Sequence, residues 1–211
     1  MCIICVSDKG VRQPNESEIR TMFSRNPHGA GYMVAEQDGV RIEKGFMTVT
    51  ELLRELRREK FTEDDVVVYH FRISTQAGVN PEMTQPFPLC RNLEAMKYCS
   101  TVLTDCAIAH NGIIRLTTDP TETEYSDTAL FTALYLPDII HKPSDLKNKK
   151  VLDKIEKMIN SKMVIMDRNE NVAIIGNFIE RDGLLFSNNS FESYQRYFTP
   201  RAVNSWWRRY E

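Results

Sequence analysis

The chain has 211 residues, 42% hydrophobic and 27% charged, with a formal net charge of −2. That length suffices for one large domain with a sizeable core, and the near-neutral balance gives no global positive field for nucleic acid or an anionic membrane. Five cysteines, an odd number with no export signal ahead of them, point to reduced thiols in a cytoplasm, and no apolar run reaches membrane-spanning length.

In chain order, Cys2–Val6 reads as a short apolar strand. Asn15–Arg25 reads as a helix with Ile19, Met22 and Phe23 on one face. Tyr32–Glu36 and Val40–Lys44 flank Gln37-Asp38-Gly39, a hairpin signal. Thr48 and Glu51 form a capping box that opens a helix burying Leu52, Leu53 and Leu56. Val66–Phe71 and Ala107–Ala109 are expected strands, and Asp127–Leu136 and Val151–Asn160 expected helices. Met163–Asp167, Val172–Ile179 and Leu184–Ser187 then read as strands of a closing meander. Hairpins argue for antiparallel sheets with helices outside rather than regular βαβ winding. No linker divides the chain, so residues 1–197 are expected to be one domain. Residues 198–211, with Trp206, Trp207, Arg208 and Arg209, read as a docking or contact arm.

Candidate chemistry begins at Cys2. Removal of Met1 would leave a thiol and an α-amine on one residue, and that amine, with a pKa of roughly 8, can take the thiol proton without a histidine. The plain alternative is a core-filling cysteine. Cys2-Ile3-Ile4-Cys5 has the spacing of a metal or redox pair, but residues three apart on a strand face opposite ways and no second such pair follows. Cys5 is therefore assigned to the core and no metal site is expected. Arg72 stands where an apolar strand ends, suited to a carboxylate, although taken alone a surface ion pair is the commoner role for such a residue. His110-Asn111-Gly112 closes another strand; an Asn amide and the next N–H can together hold an oxyanion, although Asn-Gly is commonly only a turn. Ser126-Asp127 either caps a helix or presents a carboxylate to a substrate ammonium.

Cys2, Arg72–Gly78, Gln85-Pro86-Phe87, His110-Asn111-Gly112 and Ser126-Asp127 together resemble, in kind and order, the class II glutamine amidotransferases of the N-terminal-nucleophile hydrolase superfamily. Asn26–Tyr32 resembles their early glycine loop, and Gly176–Phe191, with Ser187-Asn188-Asn189-Ser190, the closing strands of small stand-alone phage and bacterial members. Ile3 departs from the family, which usually has glycine there, and Gln76-Ala77 adds a residue to the arginine loop. The resemblance implies an α+β, four-layer αββα sandwich with two largely antiparallel sheets. It implies Cys2 as nucleophile, Asn111 and Gly112 at the oxyanion, Arg72 and Asp127 on the two ends of L-glutamine, and Thr75 and Gly29 in support. No cofactor is implied. Ammonia would pass to an acceptor on a separate synthase, and the Pro/Gly-rich Val79–Pro88 segment would serve as a lid. Two other readings stand beside this one: an N-terminal-cysteine amidase on another amide, and a catalytically silent binding module.

Overall fold

The central strands have no polar face, and this dictates the layering. In the computed structural model, which describes residues 1–74, 77–116 and 124–192, Ile3–Ser7 (β1) and Val67–Phe71 (β4) are buried at every position. Such strands need an apolar layer on both sides. One face of β1 and β4, carrying Ile3, Cys5, Tyr69 and Phe71, packs under Glu16–Arg25 (α1) and Val49–Glu59 (α2) through Ile19, Met22, Phe23, Leu52 and Leu53. The other face, with Ile4, Val6 and Val68, meets a second sheet at Ala107, Ala109, Val164 and Met166.

Those partners lie on Cys106–Asn111 (β7) and Lys162–Asp167 (β8). The outer face of this second sheet, with Ile108, Met163 and Ile165, is covered by Asp127–Leu134 (α3) and Lys149–Ile159 (α4). The result is the four-layer αββα sandwich of two antiparallel sheets. The first sheet adds Ala30–Glu36 (β2), Gly39–Phe46 (β3), Val102–Thr104 (β6), Ile179–Arg181 (β10) and Leu184–Phe186 (β11), in the order β10-β11-β1-β4-β2-β3-β6. The second adds Phe87–Pro88 (β5) and Val172–Ile175 (β9), in the order β5-β7-β8-β9.

The hairpin at Gln37-Asp38 forms with Glu36 opposite Gly39. The expected capping box of Thr48 with Glu51 closes, and the structure adds a second, Asn15 with Glu18. Leu56 is only partly buried against the core. The expected single strand Val172–Ile179 is two strands in different sheets, β9 and β10. Gly176, with φ +85°, lies in the left-handed region glycine favours, and the chain leaves one sheet for the other there. The helix expected to run to Leu136 ends at Leu134, ahead of a 3-10 turn over Leu136–Asp138 that contains Pro137. Residues 198–211, expected to be a contact arm, lie outside the described residues.

Candidate active site

Antiparallel register brings the first residues of the chain to Arg72. Ile3 pairs with Phe71 across β1 and β4, so Cys2 lies beside the end of β4. The Cys2 Sγ accepts the N–H of Ile73 at 3.3 Å and faces its carbonyl at 3.5 Å. Asn188 Nδ2 donates to the Cys2 carbonyl at 2.6 Å, tying the residue to the chain just past β11. Burial raises the thiol pKa above its ordinary value, opposed by the Ile73 hydrogen bond, the Arg72 guanidinium and the N-terminal amine. Near neutral pH Cys2 is therefore a thiol, and a nucleophilic role requires a base.

Arg72 is 4% exposed. Its N–H donates to Gly29 O at 2.8 Å and its guanidinium to Ser74 Oγ at 3.2 Å. Burial lowers its pKa, and the neighbouring Cys2 and Asp127 oppose that shift. Asp127 opens α3 behind the N-cap Ser126, whose hydroxyl accepts from Ala129 N. One Asp127 carboxylate oxygen accepts from Ile114 N at 2.6 Å, the other from Thr128 N at 2.7 Å. Burial raises this carboxyl, and those two N–H groups and Arg72 counter it. A carboxylate offers about four lone-pair sites, so acceptor capacity remains for a ligand.

These residues share one cleft. Met1, Cys2, Arg72, Ser74, Gln85, Gly112, Ser126 and Asp127 are among its lining residues. Its volume of about 50 Å³ is far below the ~300 Å³ at which small-molecule pockets begin. Met1 forms part of the wall.

The other sequence-selected residues are distributed differently. Asn111 is buried beside the cleft rather than in its wall, its Nδ2 on Ser187 Oγ at 2.8 Å. Gly29 sits behind Arg72 with φ +106°, and an added Cβ there would lie 2.5 Å from Thr84 Cγ2. Thr75 lies outside the described residues. His110 does line the cleft, with Nδ1 on Thr128 Oγ1 at 2.9 Å and Nε2 on Ser161 Oγ at 2.7 Å; burial lowers its pKa to about 3, so its ring is neutral.

Of the Val79–Pro88 segment expected to act as a lid, the second half is anchored, while Val79 is 56% exposed. Met83–Pro88 is buried. Lys44 Nζ donates to the carbonyls of Glu82 (2.7 Å), Thr84 (3.1 Å) and Met96 (2.5 Å) and lies 4.4 Å from the Phe87 ring centroid. Gln85 is thereby held in the wall, its Oε1 accepting His110 N at 2.6 Å. Sequence reasoning gave Lys44, Ser161, Ser187 and Asn188 no role at the site. The Ser187-Asn188 motif was visible; nothing local marks Ser161 or Lys44.

A larger cavity of about 300 Å³ opens at the other end of β7, by Cys106, Asp167 and Arg168. Three of its ionic groups have partners: Asp167 accepts from Asn169 and Asn171, and Asp105 pairs with Arg168. Among the described residues no cluster of His, Cys, Asp and Glu could hold a metal ion, and no helix is long and apolar enough to cross a membrane.

No protein-family model matches the sequence, and no curated protein matches it. Among solved structures, the fold is similar to glutamine phosphoribosylpyrophosphate amidotransferase from B. subtilis, with a TM-score of 0.46 and 15% identity. The match covers 88% of this chain and 41% of that one, so this chain spans less than half the length of that enzyme.

Proposed function

We propose that the protein hydrolyses the side-chain amide of glutamine through a thioester on Cys2, after loss of Met1. The observation that carries this reading is the convergence of a thiol, a guanidinium and a carboxylate, from β1, the end of β4 and the start of α3, on one cleft. An amino acid offers complementary ends, a carboxylate for Arg72 and an ammonium for Asp127. Loss of Met1 does two things together: it removes part of the wall, and it turns the Cys2 nitrogen from a peptide amide into an amine. That amine takes the thiol proton, and sulfur attacks the amide carbon. The tetrahedral oxyanion is held by the Gly112 N–H and Asn111. As the carbon–nitrogen bond breaks, the Cys2 ammonium returns the proton to the leaving ammonia. Water then adds to the thioester, releasing glutamate and regenerating the thiol. The ammonia would serve an acceptor on a separate synthase.

The test is a glutamine-to-glutamate assay on protein whose intact mass shows Met1 removed, beside protein retaining Met1 and Cys2→Ala. Activity is expected only in the first. Full activity with Met1 retained would refute the amine as base. Equal turnover of a simple acyl amide would favour a general amidase, and an inert processed protein would favour a silent module.

A further inference from the structure

Ser187 ties the two sheets together at the site, and its hydrogen bonds are incomplete in an informative way. Its backbone N–H donates to Ile4 O at 3.0 Å, and its Oγ accepts from Ile4 N at 2.8 Å. From the opposite sheet, Asn111 Nδ2 donates to the same Oγ at 2.8 Å. Ser187 is fully buried, at 0% exposure. The hydroxyl thus receives two donors, while its own hydrogen meets no acceptor among the described residues. Asn111 Oδ1, also buried, meets no donor among them. Buried polar groups are ordinarily paired, so two adjacent defects of opposite sign call for one cause.

The two ends of a carboxamide have nearly the same shape, so hydrogen bonding decides which end faces Ser187. A half-turn of the Asn111 amide pairs the Ser187 hydrogen with Oδ1 and leaves the Nδ2 donor, in place of the Oδ1 acceptor, as the group without a partner among the described residues. The Ser187 hydroxyl keeps accepting from Ile4 N and donates to Asn111 Oδ1; Nδ2 moves to the free end.

We propose that Ser187 is the positioning residue of the oxyanion donor, holding Asn111 with Oδ1 on the hydroxyl and Nδ2 presented beside the Gly112 N–H. This deepens the glutamine-hydrolase reading and rests on it. One hydroxyl then serves both sheets: it fixes Ile4, two residues beyond the nucleophile, and it orients the amide that receives the developing charge. Ser187 itself touches no substrate.

The orientation is tested by a neutron structure of the Met1-free protein, which locates the hydrogens. The Ser187 hydrogen is expected to point at Asn111, with the amide hydrogens on the far end. Amide hydrogens on the Ser187 side would overturn the proposal whether or not glutamine is hydrolysed. In the kinetic arm, Ser187→Ala should lower kcat about 10–100-fold, less than the ~10²–10³ that losing a whole oxyanion donor costs. KM should change by less than about threefold, because ground-state binding does not use the donor. In an Asn111→Ala background Ser187→Ala should cost nothing further, whereas an equal loss in both backgrounds would mark Ser187 as merely structural and sink the proposal. Ser187→Thr, which retains the hydroxyl, should recover most of kcat. Absence of glutaminase activity in the parent refutes the proposed function, and the neutron arm still decides the Asn111 orientation.

Discussion

Acidification should destabilise the fold through two histidines that it holds neutral. Burial pushes both His70 and His110 down to about 3. His70 donates from Nε2 to the His110 carbonyl at 3.2 Å, and the nearby Arg72 guanidinium opposes a charge on its ring. In the unfolded chain both rings titrate near about 6.5. Between those values the unfolded state binds more protons than the folded one, so stability rises with pH in that window and is lost as pH falls. At about pH 4.5, two units below the unfolded value, each ring accounts for a loss of about 2–3 kcal/mol. The pair then removes about 5 kcal/mol from a stability typically ~5–15 kcal/mol. Urea melts between about pH 6 and 5 keep most carboxylates, with ordinary values near about 4, out of the slope. There the two rings should contribute roughly 2–2.5 kcal/mol per pH unit, and His70→Gln or His110→Gln should each remove about half of that. A parent slope below about 0.5 kcal/mol per pH unit would show that the rings are charged in the fold and that the reasoning is wrong.

Three further outcomes follow from contacts at the site. Lys44→Met should cost about 2–4 kcal/mol, because the Thr84 and Met96 carbonyls lose their buried donor, and thermal melting should fall by roughly 5–15 °C; a variant as stable as the parent would dismiss the anchor. Gly29→Ala places a Cβ 2.5 Å from Thr84 Cγ2 at φ +106°, so a loss of about 2–4 kcal/mol is expected from overpacking and strain together, and a melting temperature within about a degree of the parent's would contradict it. Arg72→Ala should lower kcat/KM for glutamine roughly 10–100-fold and abolish its advantage over 4-aminobutanamide, which lacks the carboxylate; an advantage that survives would free Arg72 from substrate binding.

Local chemistry made most elements legible in the sequence. Asn15 with Glu18 and Thr48 with Glu51 satisfy their own helix starts, and Gln37-Asp38-Gly39 closes its own hairpin, so none of these signals needs a distant partner. The short edges were not legible. Phe87–Pro88 and Val102–Thr104 become strands only because β7 and β3 present open hydrogen-bonding groups to them. Gly176, inside the expected strand Val172–Ile179, was not legible as the place where the chain changes sheets, since that depends on where both sheets already lie. For the site, Cys2, Arg72, Gly112 and Asp127 could be chosen from residue type and position, because each stands at or near the end of an apolar strand or the start of a helix. Their convergence comes from the register that sets Ile3 opposite Phe71 and from the packing of β1 on β7. The groups that hold them, Lys44 on three carbonyls and Ser187 between Ile4 and Asn111, act across 38 to 183 residues of sequence. No local pattern encodes a hydrogen bond at such separations, because the partner's position exists only once the sheets have stacked.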